Sequence, residues 1–137
     1  MSESKGARPT NTYDDIPGTY VFDADRARTG YFLNKFLYSL IKAENRDAFK
    51  ADEPKYLDQF PLTEDQRQGV LTRNWNKLLE TGGVSYAIAK LAFTDGRSYQ
   101  YMAAEMTGMS QQGYLDMMLA GGRSPEGWRY KTERGDA

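Results

Sequence analysis

Carboxylates are the side chains of this sequence best suited to catalysis. Asp14-Asp15, Asp23 with Asp25, and Asp52-Glu53 are close enough in sequence to share acid and base roles. Acids so placed far more often cap helices or face water. Glu105 stands apart because its neighbours are apolar, and burial there raises a carboxyl pKa unless a partner holds the charge. Its plainer alternatives are to reach solvent or to pair with an arginine. Arg123, after Gly121-Gly122, has the fork to bind a carboxylate bidentately, or it complements the C-terminal end of the preceding helix.

What is missing narrows the chemistry further. The chain has no Cys, which removes disulfides, thiolate nucleophiles and Cys-ligated zinc or iron–sulfur sites. It also has no His, the side chain that most often moves protons near neutral pH and ligates transition metals. Lys plus Arg total 18 against 19 Asp plus Glu, interspersed in sign, unlike the basic stripe of a nucleic-acid binder. A length of 137 residues suits one domain with a modest core, while the mean hydropathy of -0.75 is low for a self-contained globule. A thin core is one reason for a permanent partner. No apolar run approaches the ~18 residues of a membrane span, and Met1 to Pro9 lacks the apolar core of a signal peptide. The expectation is a soluble, cytoplasmic protein with no membrane partner.

The elements that must position these residues read as helices. Residues 1–15 are polar and aperiodic, a flexible arm, and Ile16-Pro17-Gly18-Thr19 is a turn. Tyr20 to Phe22 runs extended into Asp23, an N-cap. Ala24 to about Ala43 reads as one long helix with Ala27, Tyr31, Leu33, Leu37, Leu40 and Ile41 at helical spacing, widened by Phe32, Phe36 and Tyr38. Gly30 within it implies close backbone approach by another element. Asn34 reads as solvated in preference to a buried hydrogen-bonding post. The charge-dense run from Ala43 to Glu53 reads as a solvated face pinned by Phe49, and Pro54 suits the first turn of the next helix. Thr63-Glu64-Asp65-Gln66 has capping-box spacing, followed by Val70, Leu71, Trp75, Leu78 and Leu79.

Gly82-Gly83 breaks the pattern without the strand or spaced glycines of a phosphate cradle. Val84 to Phe93 forms another helix, with Tyr86, Ile88, Ala89 and Phe93 apolar. A last helix carries Tyr114, Leu115, Met117, Met118 and Leu119. Residues 123–137 form an irregular tail in which Trp128 would be costly to leave bare. The fold class is therefore all-α: a single domain over residues 16–122, an irregular cluster of about six mostly short helices.

The stretch from Phe93 to Met109 looks most built to face something else. Gly96 ends one helix and Ser98 caps the next. Tyr99, Tyr101, Met102, Ala103, Ala104 and Met106 then place apolar groups almost all the way round, leaving no solvated face. On pattern alone, burial in the domain's own core leads over a partner surface.

Collinear blocks carry a family resemblance. They include Ile16-Pro17-Gly18-Thr19, Gly30-Tyr31-Phe32-Leu33-Asn34, Lys42-Ala43-Glu44-Asn45-Arg46 and Phe49-Lys50-Ala51-Asp52-Glu53. Thr94-Asp95-Gly96, Met106-Thr107-Gly108-Met109 and Gly121-Gly122-Arg123-Ser124-Pro125 continue the set. From Asp14 onward the chain resembles the small α subunit of the two-subunit protocatechuate 4,5-dioxygenases. The resemblance implies an α2β2 extradiol dioxygenase acting on protocatechuate or a related catechol with dioxygen. Its β subunit holds Fe(II) through two His and one Glu, and the α chain supplies no metal ligand and no catalytic residue. It also implies that the α chain covers the β site and sets an aromatic wall near the substrate. That position falls on Tyr99, flanked by Ser98 and Tyr101, where a member of the family carries Phe. Asp95, Arg97, Met102 and Trp128 are the accompanying expectations for the partner interface. A reading from another class is a free-standing helical interaction or regulatory module. The neighbouring reading frame discriminates them, since only the first requires an iron subunit there.

Overall fold

The computed structural model describes residues 20–122, and every regular element among them is helical. The helices are α1 (Ala24–Thr29), α2 (Tyr31–Ser39), α3 (Ala43–Ala51), α4 (Glu53–Leu57), α5 (Glu64–Leu71), α6 (Trp75–Glu80), α7 (Ser85–Thr94), α8 (Tyr99–Thr107) and α9 (Gln111–Leu119). The all-α class stands, with nine helices among the described residues where the sequence suggested about six. The expected arm at 1–15 and tail at 123–137 lie outside the described residues.

Local signals start the helices as their chemistry dictates. Asp23, Thr63, Ser98 and Ser110 each accept a backbone N–H of the first turn they precede. Thr63 and Gln66 complete the capping box in both directions. Gly108 closes α8 in the left-handed conformation, with φ of 74°.

The long helix expected from Ala24 to Ala43 is not continuous. It breaks at Gly30, which lies against the backbone of Gly82, and ends at Ser39. A Cβ at residue 30 would fall 2.0 Å from the Gly82 carbonyl oxygen, so the close approach requires glycine. Asn34 secures the same crossing. Its amide donates to the Gly82 oxygen and accepts from the Val84 N–H, both at 2.9 Å, which overturns the solvated reading. Gln66, 2% exposed, ties in the far side by donating to the carbonyls of Thr29 and Thr81 at 2.9 Å.

The core lies around this crossing. Leu33, Phe36, Leu37 and Leu40 of α2 meet Phe49, Tyr56, Leu57, Val70, Trp75, Leu78, Ile88 and Leu91. Phe36, Phe49, Tyr56 and Phe60 pack ring to ring at centroid separations of 5.3 to 6.0 Å. The charged run after Lys42 is more than a solvated face. Asn45 donates to the Ser39 carbonyl, and Arg46 to those of Leu40 and Ile41, satisfying orphan acceptors at the end of α2. No described helix is long and apolar enough to cross a membrane.

Candidate functional site

The end of α7 and the start of α8 bring most of the expected site residues together. Thr94 closes α7, Asp95-Gly96-Arg97 makes the turn, and Ser98 opens α8 by accepting the Tyr101 N–H at 3.1 Å. Serine at this position serves the helix: its oxygen is committed to backbone, with Gln111 also donating to it at 3.5 Å.

Tyr99 is 46% exposed at the first position of α8. Tyr101, two residues on, lies about 200° away around a helix, so the two rings do not share a face. Tyr101 belongs to a different group. The Arg97 guanidinium lies over its ring at 4.5 Å, and Glu105 follows one turn further along the helix. Hydrogen bonding to Glu105, with a smaller contribution from burial, raises the Tyr101 pKa above the usual phenol value. Glu105 is anchored from the core, because the indole N–H of the buried Trp75 donates to its carboxylate. Glu105 thus reaches solvent, one of the two plainer alternatives, and its carboxylate is held by Trp75 and not by an arginine. Glu105→Gln is expected to bring the Tyr101 phenol back toward its ordinary range. Phenolate ultraviolet absorbance against pH, with Tyr101→Phe identifying the transition, checks this.

Two of the residues expected at the interface are engaged within the chain. Met102 is 0% exposed and packs in the chain's own core, so it offers no surface to a partner; its side of α8 faces inward. The Asp95 carboxylate is engaged within the chain by Arg73, at 2.7 and 3.0 Å. Arg97 is exposed and carries no ion pair among the described residues. Trp128, Arg123, Asp14 and Asp15 lie outside the described residues.

Arg73 is the residue sequence reasoning passed over. It adopts φ of 54°, rare for a non-glycine residue, and its guanidinium joins Glu53 at 2.8 and 2.9 Å to Asp95. Burial opposes that charge, but the hydrogen bonds to Asp95 and Glu53 outweigh it and hold the guanidinium above its ordinary pKa. The effect is to fasten the start of α4 to the turn before α8. Glu53 is accordingly structural, and Asp52 caps α4 by accepting the Lys55 N–H. Asp25 pairs with Arg28. The carboxylate pairs that fall in the described region thus work in caps and ion pairs.

Two clefts flank α8. One, of about 360 Å³, is lined by Tyr20, Asn76, Leu79, Ala103, Met106 and Tyr114. The other, of about 380 Å³, lies beside Trp75 and Glu105. Neither is walled by Ser98, Tyr99 or Tyr101. The chain contains no His or Cys, and no group of three or more carboxylates that could hold a metal occurs among the described residues.

These features define an all-helical domain that presents an exposed aromatic at the start of a helix and contains neither His nor Cys. Residues 33–119 match the family described as the LigA subunit of the aromatic-ring-opening dioxygenase LigAB, and the chain belongs to that family. It is also similar to a gallate dioxygenase of Pseudomonas putida, 28% identical over 102 residues. That alignment covers 74% of this chain but only 30% of the relative, so the chain corresponds to a minor part of a longer protein.

Proposed function

We propose that the chain is the small, non-catalytic but required subunit of an extradiol dioxygenase that opens the ring of a catechol carboxylate such as protocatechuate or gallate. Family membership carries this reading, together with the absence of imidazole and thiol from the chain. The iron belongs to a larger β subunit, in an α2β2 assembly, and supplies the activation of catechol and dioxygen when bound there. This chain's part is to close the mouth of that site. Tyr99 is the wall: its ring excludes water, and its hydroxyl is available to the substrate. Ser98 fixes the start of the helix that carries it, and the Arg73–Asp95 pair fixes the turn before it.

Tyr99→Ala is expected to leave assembly intact while lowering kcat/KM about tenfold through a raised KM or a reduced kcat. Steady-state oxygen uptake by the reconstituted enzyme reads this, and unchanged parameters would remove Tyr99 from the pocket. Tyr99→Phe separates the ring from the hydroxyl, since an effect of the hydroxyl on substrate preference appears as a changed ratio of protocatechuate to gallate turnover.

A further inference from the structure

Helices α2 and α7 each carry an aromatic–lysine–aromatic stripe whose four rings and Lys35 are exposed and whose Lys90 is half-buried. On α2 it is Tyr31, Lys35 and Tyr38, and on α7 it is Tyr86, Lys90 and Phe93. Both follow i, i+4, i+7 spacing, which keeps each set on one side of its helix. The helices pack together, and the stripes meet where the Tyr38 and Tyr86 rings lie 6.5 Å apart. Lys90 Nζ sits 4.2 Å from the Tyr86 centroid and 5.8 Å from that of Phe93, binding the stripe into one surface. Tyr86 is 62% exposed. Single exposed rings are ordinary on a protein surface, but rings joined across two helices form a patch.

The charge on this face is one-sided. In a chain with 19 acidic residues, neither α2 nor α7 carries any, and Lys35 and Lys90 are their only charged residues. Lys42, just beyond α2, is exposed as well. A second copy docking through the same face would bring lysines and no α2 or α7 carboxylate, leaving Lys35 and Lys90 without a counter-charge. An apolar patch edged by carboxylates is the complementary surface.

We infer that the α2–α7 face docks the larger, iron-bearing chain of the proposed enzyme, through an apolar area on that chain rimmed by Asp and Glu. This rests on the two-chain reading above. The similarity to a protein more than three times longer than the matched region supports it, because there the same domain lies in one chain with much additional protein. Aromatic side chains near the centre of an interface carry a large share of binding energy, and charges at its edge chiefly govern association.

The test takes the His/His/Glu iron subunit that the two-chain reading requires in the adjacent reading frame and measures its binding by isothermal titration and biolayer interferometry. Tyr86→Asp is expected to weaken binding about 100-fold or more, and Lys90→Glu about tenfold with a flatter salt dependence. Leu119→Asp, at an 87% exposed position ending α9, is expected to bind like the wild type. Circular dichroism verifies that each variant is folded, and Lys90→Glu keeps the test open if Tyr86→Asp is not. Wild-type affinity in the folded variants overturns the inference, as does wild-type self-association through these residues in sedimentation. A wild-type chain that binds no such subunit overturns the two-chain reading itself, a distinguishable failure.

Discussion

Gly30→Ala is expected to cost about 3 kcal/mol or more, an overpacking penalty at the upper end because the clash is with backbone. The added Cβ would lie 2.0 Å from the Gly82 oxygen and 2.4 Å from its carbonyl carbon. A side chain can rotate aside, but Gly82 is held by Asn34 and has φ of 104°, so it cannot retreat without loosening the crossing. Gly82→Ala meets the reciprocal obstacle, with Arg26 O at 2.5 Å and a left-handed backbone besides. Urea unfolding monitored by circular dichroism checks both. A fall in midpoint at constant slope is expected, and a midpoint within error of the wild type would refute the close approach.

Gln66→Glu is the second large effect, about 3 kcal/mol or more at neutral pH, because buried acceptors lose their donor and gain a charge. The amide of Gln66 donates to the Thr29 and Thr81 carbonyls while its oxygen accepts from Thr63 N–H. A carboxylate keeps only the last bond and sets negative oxygen against carbonyl oxygens. Burial and these acceptors raise the carboxyl pKa in the folded state above its unfolded value. The stability it contributes is then fully present below the unfolded pKa and falls as pH rises through the folded one. The deficit against the wild type therefore grows from mildly acidic to neutral pH. Denaturant midpoints of both proteins across that window check the sign, and a deficit that shrinks with rising pH would contradict it.

These positions show what is legible in the sequence and what is not. Caps at Asp23, Thr63, Ser98 and Ser110 could be read because donor and acceptor lie within three residues. Gly30 signalled a close approach, since a helix tolerates glycine poorly without reason. What approached it was hidden, because Gly82 is distant in sequence, and the helix break at Gly30 was missed. Asn34 and the remaining bonds of Gln66 were obscured for the same reason, as was Arg73, whose partners are 20 and 22 residues away. Periodicity marked the apolar positions of α7 but not which flank stays open. Ile88 and Ala89 are buried, while Tyr86 and Phe93 are exposed. In α9 no residue is buried, and Met118 and Leu119 are exposed although the pattern alone suggests an inward face.

The expected site was only partly visible for similar reasons. The apolar ring around α8 divides in three dimensions: Met102 and Ala104 enter the core, Tyr99 stays open, and Tyr101 turns to Arg97 and Glu105. A one-dimensional pattern cannot make that division, because tertiary neighbours decide which apolar side chains are covered.

The proposed role has this chain completing a reactive centre carried by another chain. Oxygen uptake with protocatechuate and with gallate tests it most directly, measured for this chain alone, for the iron subunit from the adjacent reading frame alone, and for the two together under Fe(II). The account predicts no turnover by this chain, weak turnover by the iron subunit, and full turnover only when they are combined. Iron-dependent ring opening by this chain alone, or an iron subunit equally active without it, would contradict the account.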